Sequence, residues 1–194
     1  MTTCAPPGAP VWLYDSPNKG RKLRYTWELV RVEDDLVCVN TARANPLVAS
    51  GLERGHVDEL TGYSSVRREV ARGQSRLDFA LSVDGGPTCY VEVKTVTLRS
   101  GARECAFPDS VTARGLRHLG ELVEIVQQGE RAVMLFVCGR SPTDVIRPAF
   151  EIDPEYAAAL VEAKARGVEI LGYRMDISTE GLELGERIPV VTTP

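Results

Sequence analysis

Asp78, Glu92 and Lys94 are the residues of this chain whose types and spacing fit a reaction. Glu92 and Lys94 stand two apart, interleaved with Val91 and Val93. Residues two apart in a strand point to the same face, so the acid and the base share one face and the valines take the other. Asp78 lies between Leu77 and Phe79 in a second strand-like run, joined to the first by the turn Asp84-Gly85-Gly86-Pro87. Paired as a hairpin, the two runs can bring Asp78 to the same edge. Two carboxylates beside an ammonium form a site for a hard divalent cation such as Mg²⁺ or Mn²⁺, and a cation with a lysine suits attack on a phosphodiester. The competing reading is a solvated strand face carrying a weak surface ion pair. Against it stands Asp78, a charge in an otherwise apolar strand, where a charge needs a partner.

The elements that would position these residues follow from the pattern of apolar residues. Val11–Tyr14, Tyr25–Val32 and Leu36–Val39 read as three short strands, too little for an independent core. Residues 1–10, rich in Pro, Thr and Ala, read as an irregular lead-in. Asn40 and Thr41 offer a cap for a short helix through Leu47 and Leu52. Tyr63–Val70 reads as extended, and residues 99–108 as a loop. Asp109 is expected to cap an amphipathic helix in which Val111, Leu116, Leu119, Leu122, Val123 and Val126 recur at helical spacing. Ala132–Cys138 is a continuous apolar run, the mark of a strand buried on both faces. An Ala-rich helix from Pro154 to Arg166, capped by Asp153, precedes a strand from Val168 to Met175, and residues 181–188 can add an edge hairpin. Two strands, a helix, a strand, a helix and a strand from residue 75 onward give a mixed α/β arrangement.

Composition narrows the function classes. The longest apolar run has seven of the 194 residues, too short for a bilayer span, and the N-terminus shows neither a basic segment nor an apolar run, so no signal peptide is expected. Five cysteines without C-x-x-C spacing imply free thiols and a cytoplasmic home. Two histidines, His56 and His118, are too few for a His-rich metal site. A net charge of −4 argues against coating nucleic acid by bulk charge. The charge is uneven, however: residues 141–194 hold ten acids and five bases. Basic clusters at Lys19, Arg21, Lys22 and Arg24, and at Arg67, Arg68, Arg72 and Arg76, can contact phosphates whatever the total.

The spacing D-x13-E-x-K of Asp78, Glu92 and Lys94 resembles the PD-(D/E)xK nuclease core, and the wider text resembles the sugar fermentation stimulation protein family. The resemblance is carried by Thr26-Trp27-Glu28-Leu29, Val39-Asn40-Thr41 with Asn45, Glu59-Leu60-Thr61-Gly62-Tyr63-Ser64-Ser65 and Ser75-Arg76-Leu77-Asp78-Phe79. It continues through Tyr90-Val91-Glu92-Val93-Lys94-Thr95-Val96-Thr97-Leu98, Phe107-Pro108-Asp109-Ser110-Val111-Thr112, Arg114-Gly115 and His118-Leu119. It implies an OB-like β unit over residues 1–40 and a PD-(D/E)xK nuclease-like domain, a mixed sheet flanked by helices, over residues 41–194. It also implies nonspecific duplex DNA as partner and a regulatory role in sugar (maltose) metabolism, with a Mg²⁺- or Mn²⁺-dependent deoxyribonuclease as the alternative.

On that reading Asp78 and Glu92 bind the cation with the backbone carbonyl of Val93, and Lys94 holds the attacking water or, structurally, only pairs with Glu92. Arg114 and His118 match the following helix, His118 being either a phosphate contact or a partly buried histidine. Glu69 is either an ion-pair partner of Arg67 or Arg68 or a support for the site. Two departures stand out: Ser50 and Ala113 occupy positions where the family often has acids, and the OB-like unit has at most three of five strands. Trp12, Tyr25 and Trp27 are expected in its core. Its open edge and the apolar face around Trp12, Tyr25, Trp27 and Leu29 are expected to recruit a second copy of the chain, making a homo-oligomer, or to lower stability.

Overall fold

In this computed structural model residues 3–73 and 75–193 are described. In chain order the elements are β1 (Val11–Asp15), β2 (Tyr25–Val32), β3 (Asp35–Cys38), α1 (Ala44–Glu53), β4 (Ser65–Arg72), β5 (Ser75–Ser82), β6 (Cys89–Val96), β7 (Leu98–Gly101) and β8 (Glu104–Phe107). They continue with α2 (Ala113–Gln127), β9 (Arg131–Cys138), β10 (Arg140–Ser141), β11 (Val145–Pro148), α3 (Pro154–Ala165), β12 (Glu169–Ile177) and β13 (Leu182–Arg187).

The apolar run in β9 takes the position its composition requires, inside a six-stranded sheet of order β13-β12-β9-β6-β5-β4. β6, β9 and β12 run parallel, and β13, β5 and β4 are added antiparallel. A strand covered on both faces needs no polar side. Met134 and Phe136 meet Leu119, Leu122 and Leu160 of α2 and α3. Val133, Leu135 and Val137 meet Val48 and Leu52 of α1, together with Leu29 and Cys38 from a second sheet. The fold is thus mixed α/β, a mixed sheet flanked by helices.

That second sheet has the order β1-β2-β3-β10, antiparallel throughout. Its last strand comes from beyond β9. Asp35 secures the junction, accepting from Arg140 Nε at 2.6 Å and from Arg99. The lead-in expected to be irregular contributes to it: Cys4 is buried with Val30, Val37 and Val39, and the Thr3 hydroxyl accepts from Arg99 N–H at 3.1 Å. Trp12 and Trp27 are half-buried as core residues, whereas Tyr25 is 52% exposed.

Two further expectations are corrected. The segment 99–108 is not a loop: β7 and β8 form a hairpin extended by parallel pairing of β11 to β8, a long-range partner that local composition does not announce. Helix α2 starts at Ala113, not at Asp109. Thr112 is its cap, with Oγ1 accepting from Gly115 N–H at 3.0 Å, because Asp153 takes the Thr112 N–H and holds that residue in place.

Candidate functional site

The site begins with a fault in the β5–β6 hairpin. The strands pair at Phe79↔Val91, Ala80↔Tyr90 and Leu81↔Cys89, and β5 then leaves β6. Leu77 packs among the α2 and α3 residues while Phe79 packs on the α1 side. Two residues apart in a regular strand share a face, so β5 exchanges faces at Asp78. On β4, between the pairs Arg68↔Phe79 and Val70↔Leu77, Glu69 has φ 53°, a left-handed backbone that side-chain-bearing residues seldom adopt. Where the backbone ladder stops, the Asp78 carboxylate replaces it: Oδ2 accepts the Val93 N–H at 2.8 Å, and Oδ1 accepts from Asn45 on α1.

Glu92 projects from β6 toward α2 and is 3% exposed. Its Oε1 is contacted by Lys94 Nζ and by His118 Nδ1, and Arg114 Nε donates to His118 Nε2 at 3.4 Å. Lys94 Nζ also lies 3.1 Å from His118 Nδ1, so Glu92, Lys94 and His118 form one buried cluster. Asp78, Glu92, Val93, Lys94, Asn45 and Arg114 all border one cleft of about 360 Å³. Burial, and next the charge of Glu92, push the Asp78 carboxyl above the usual range despite the hydrogen bonds from Val93 and Asn45. Burial also acts upward on Glu92, but the hydrogen bond from His118 and the charge of Lys94 outweigh it and hold that carboxyl below its usual range. The two carboxyls are thus shifted in opposite directions, Asp78 up and Glu92 down.

The donor set fits a hard divalent cation. Asp78, Glu92 and the Val93 carbonyl are oxygen donors, and a cation would remove the repulsion that raises Asp78. Among the described residues no group of three or more His, Cys, Asp or Glu side chains is placed for a metal, so such an ion would depend on two carboxylates and the main chain.

Several predicted residues fall elsewhere. His118 is 2% exposed: it supports Glu92 and does not face a ligand, which corrects its reading as a phosphate contact. Lys94 makes the ion pair with Glu92 and still borders the cleft. Among the described residues predicted to contact DNA, only Arg114 lines that cleft. Arg67 and Arg76 are exposed on the edge hairpin; Arg68 lies over the Phe79 ring at 5.9 Å and Arg72 over Tyr90 at 5.2 Å. Lys19, Arg21, Lys22 and Arg24 are exposed before β2, where Arg24 pairs with Asp15 and Arg21 bonds Thr26. Glu69 makes no ion pair among the described residues; its role is the backbone turn. Asn45, not Ser50, is the α1 residue that reaches Asp78; the sequence marks it only as part of the family resemblance, without a role.

Residues 42–181 match a family model described as the sugar fermentation stimulation protein RE domain, and residues 1–39 one described as the SfsA N-terminal OB domain. A sugar fermentation stimulation protein homolog of Maricaulis maris is 49% identical over 92% of this chain and 76% of its own length. The homolog of Paramagnetospirillum magneticum is 47% identical over 95% of this chain and 78% of its own. The structure of Pyrococcus furiosus SfsA in complex with Ca²⁺ superposes with a TM-score of 0.84 at 28% identity, covering 92% of this chain and 77% of that one. On fold, site and sequence together, the chain belongs to the sugar fermentation stimulation protein family.

Proposed function

We propose that this protein binds duplex DNA without sequence preference and holds a divalent cation, Mg²⁺ or Mn²⁺, in the Asp78–Glu92 cleft, serving a regulatory role in sugar (maltose) metabolism. The observation that carries the reading is the convergence of Asp78, Glu92 and Lys94 on one cleft with Arg114 at its rim. The Ca²⁺ held by the Pyrococcus furiosus relative supports a divalent ion of the same chemistry, and the family resemblance supports the DNA and the regulation. The proposal treats residues 1–40 as an OB-like unit and 41–194 as the nuclease-like one. The exposed Val11, Leu13 and Tyr14 of β1, an edge strand, support self-association.

When bound, the cation supplies Lewis-acid polarisation of a phosphate and a more acidic water. The chain does the rest. Asp78 and Glu92 hold the ion, with the Val93 carbonyl as third donor, and His118 keeps Glu92 ionised. Lys94 places an ammonium beside the reacting phosphate, and Arg114 offers a rim contact. Arg67 and Arg76, with Lys19 and Lys22, meet backbone phosphates farther out.

A second reading is favoured by the intact set of Lys94 and two carboxylates: a metal-dependent nuclease hydrolysing DNA phosphodiesters. Labelled duplex DNA incubated with the pure protein, with and without Mn²⁺, separates the two. Retardation without cleavage supports the binding protein, Mn²⁺-dependent cleavage the nuclease, and neither would refute both.

A further inference from the structure

We propose that Tyr156 is a positioning residue for Glu92, its buried hydroxyl donating through one water to the carboxylate oxygen that Lys94 and His118 leave free. Only its consequence for metal affinity rests on the cation reading above; the contact itself does not.

Tyr156 is 0% exposed in the first turn of α3. Its main-chain N–H is held by Asp153 Oδ1 at 3.0 Å, and Asp153 Oδ2 holds the N–H of Thr112, the cap of α2, at 2.8 Å. One aspartate thus pins the starts of both helices together, and the Tyr156 ring passes from one toward the other. The ring lies edge-on to Phe107, with centroids 5.3 Å apart, and Phe107 borders the same cleft as Glu92. Its Cε2, adjacent to the carbon bearing the hydroxyl, is 2.9 Å from where a Cβ would stand on Gly115. Glycine is what lets the ring through, and one turn on from Gly115 along that helix side is His118, the residue that grips Glu92.

Counting donors and acceptors leads to the same pairing. Among the described residues four buried side-chain atoms have no hydrogen-bond partner: Ser75 Oγ, Tyr156 Oη, Glu92 Oε2 and Glu121 Oε2. They are two donors and two carboxylate oxygens. A buried phenol donor and a buried ionised oxygen thus both stand without a partner on the α2 side of the sheet. A buried ionised oxygen without a donor is costly, and a donor here fixes the plane of the carboxylate whose other oxygen is already held. Groups that orient a metal ligand in this way change metal affinity about 10–100-fold when removed.

The test is a double-mutant cycle of Tyr156→Phe and Glu92→Gln read by thermal unfolding without added metal, together with Mn²⁺ calorimetry on the parent and on Tyr156→Phe. The expected result is that Tyr156→Phe lowers the melting temperature in the parent but less in the Glu92→Gln background, and weakens Mn²⁺ binding about tenfold or more. An unchanged or raised melting temperature with no coupling would overturn the proposal, as would coupling with unchanged Mn²⁺ affinity. If the parent binds no Mn²⁺, the cation reading fails, while coupling in the unfolding cycle still upholds the Tyr156–Glu92 contact.

Discussion

Replacing Asp78 by Asn probes the centre with little change of shape. The amide oxygen of the variant can go on accepting the Val93 N–H, and Asn45 can turn its own amide to present an oxygen. What disappears is a charge that burial and Glu92 both oppose. Two hydrogen bonds to an ionised group become neutral ones, a loss of about 1 kcal/mol each. Two unit charges about 4–8 Å apart at an effective dielectric constant of about 20 repel by about 2–4 kcal/mol, and that repulsion is relieved. Without cation, Asp78→Asn is therefore expected to match the parent or exceed it by up to about 2 kcal/mol. With free Mn²⁺ at about 100 times Kd, the parent gains about 2.7 kcal/mol by mass action, which for a chain of this length raises Tm by about 5–11 °C; the variant gains nothing. Scanning calorimetry with and without Mn²⁺, and isothermal titration of both proteins, measure this directly. If Asp78→Asn titrates with Mn²⁺ as the parent does, the cation is bound elsewhere. If the variant is less stable than the parent by more than about 2 kcal/mol without cation, the like-charge account of the site is wrong.

Lys94→Ala should keep Mn²⁺ binding, since His118 still holds Glu92, but lose any DNA cleavage by about 10²–10³-fold; undiminished turnover in a single-turnover assay would remove Lys94 from the reaction. Asp35 tests the junction of the sheets through pH. Burial acts against its charge, but hydrogen bonds from Arg99 and Arg140 prevail and hold its carboxyl below the usual 3.8. The folded state thus binds the proton less well than the unfolded chain, so the stability Asp35 contributes is present above pH 3.8 and is lost as pH falls through the lowered folded value. Asp35→Asn, which leaves the buried Arg140 without its carboxylate, should cost about 3 kcal/mol at pH 7, and urea titrations should show that difference shrinking in acid; a gap that widens instead contradicts the assignment. Removing Arg67 and Arg76 together should weaken duplex binding and make log K fall about 1.8 less steeply with log salt, about 0.9 per contact; unchanged slopes in a fluorescence titration would place the DNA elsewhere. Light scattering should show the parent self-associating and Leu13→Lys shifted toward monomer, and a monomeric parent would end that part of the proposal.

The parts of this protein legible in its sequence are those that local pattern dictates. The alternation of Val91, Glu92, Val93 and Lys94 puts acid and base on one face whatever surrounds them. The Gly85-Gly86-Pro87 turn makes the hairpin, the unbroken apolar run into Cys138 demands a central strand, and Asp153 caps a helix wherever that helix packs. The hairpin so read can bring Asp78 to that face, and family resemblance gave the three residues their nuclease-like roles. Tertiary structure decided the rest, because it depends on contacts between residues far apart in the chain. Asp78 reaches Val93 only because β5 changes faces opposite a left-handed Glu69. The strand Arg140–Ser141 completes the second sheet from beyond β9, and β7 and β8 pair as a hairpin, extended by β11, where a loop is expected. The sequence leaves His118 open between a phosphate contact and a partly buried histidine, and the packing of α2 on β6 turns it inward to Glu92. Asn45 enters only through the family resemblance, with no role attached, and Tyr156 carries no motif at all. Which side chains a buried carboxylate meets is set by how helices pack on a sheet, and spacing along a single element cannot encode that.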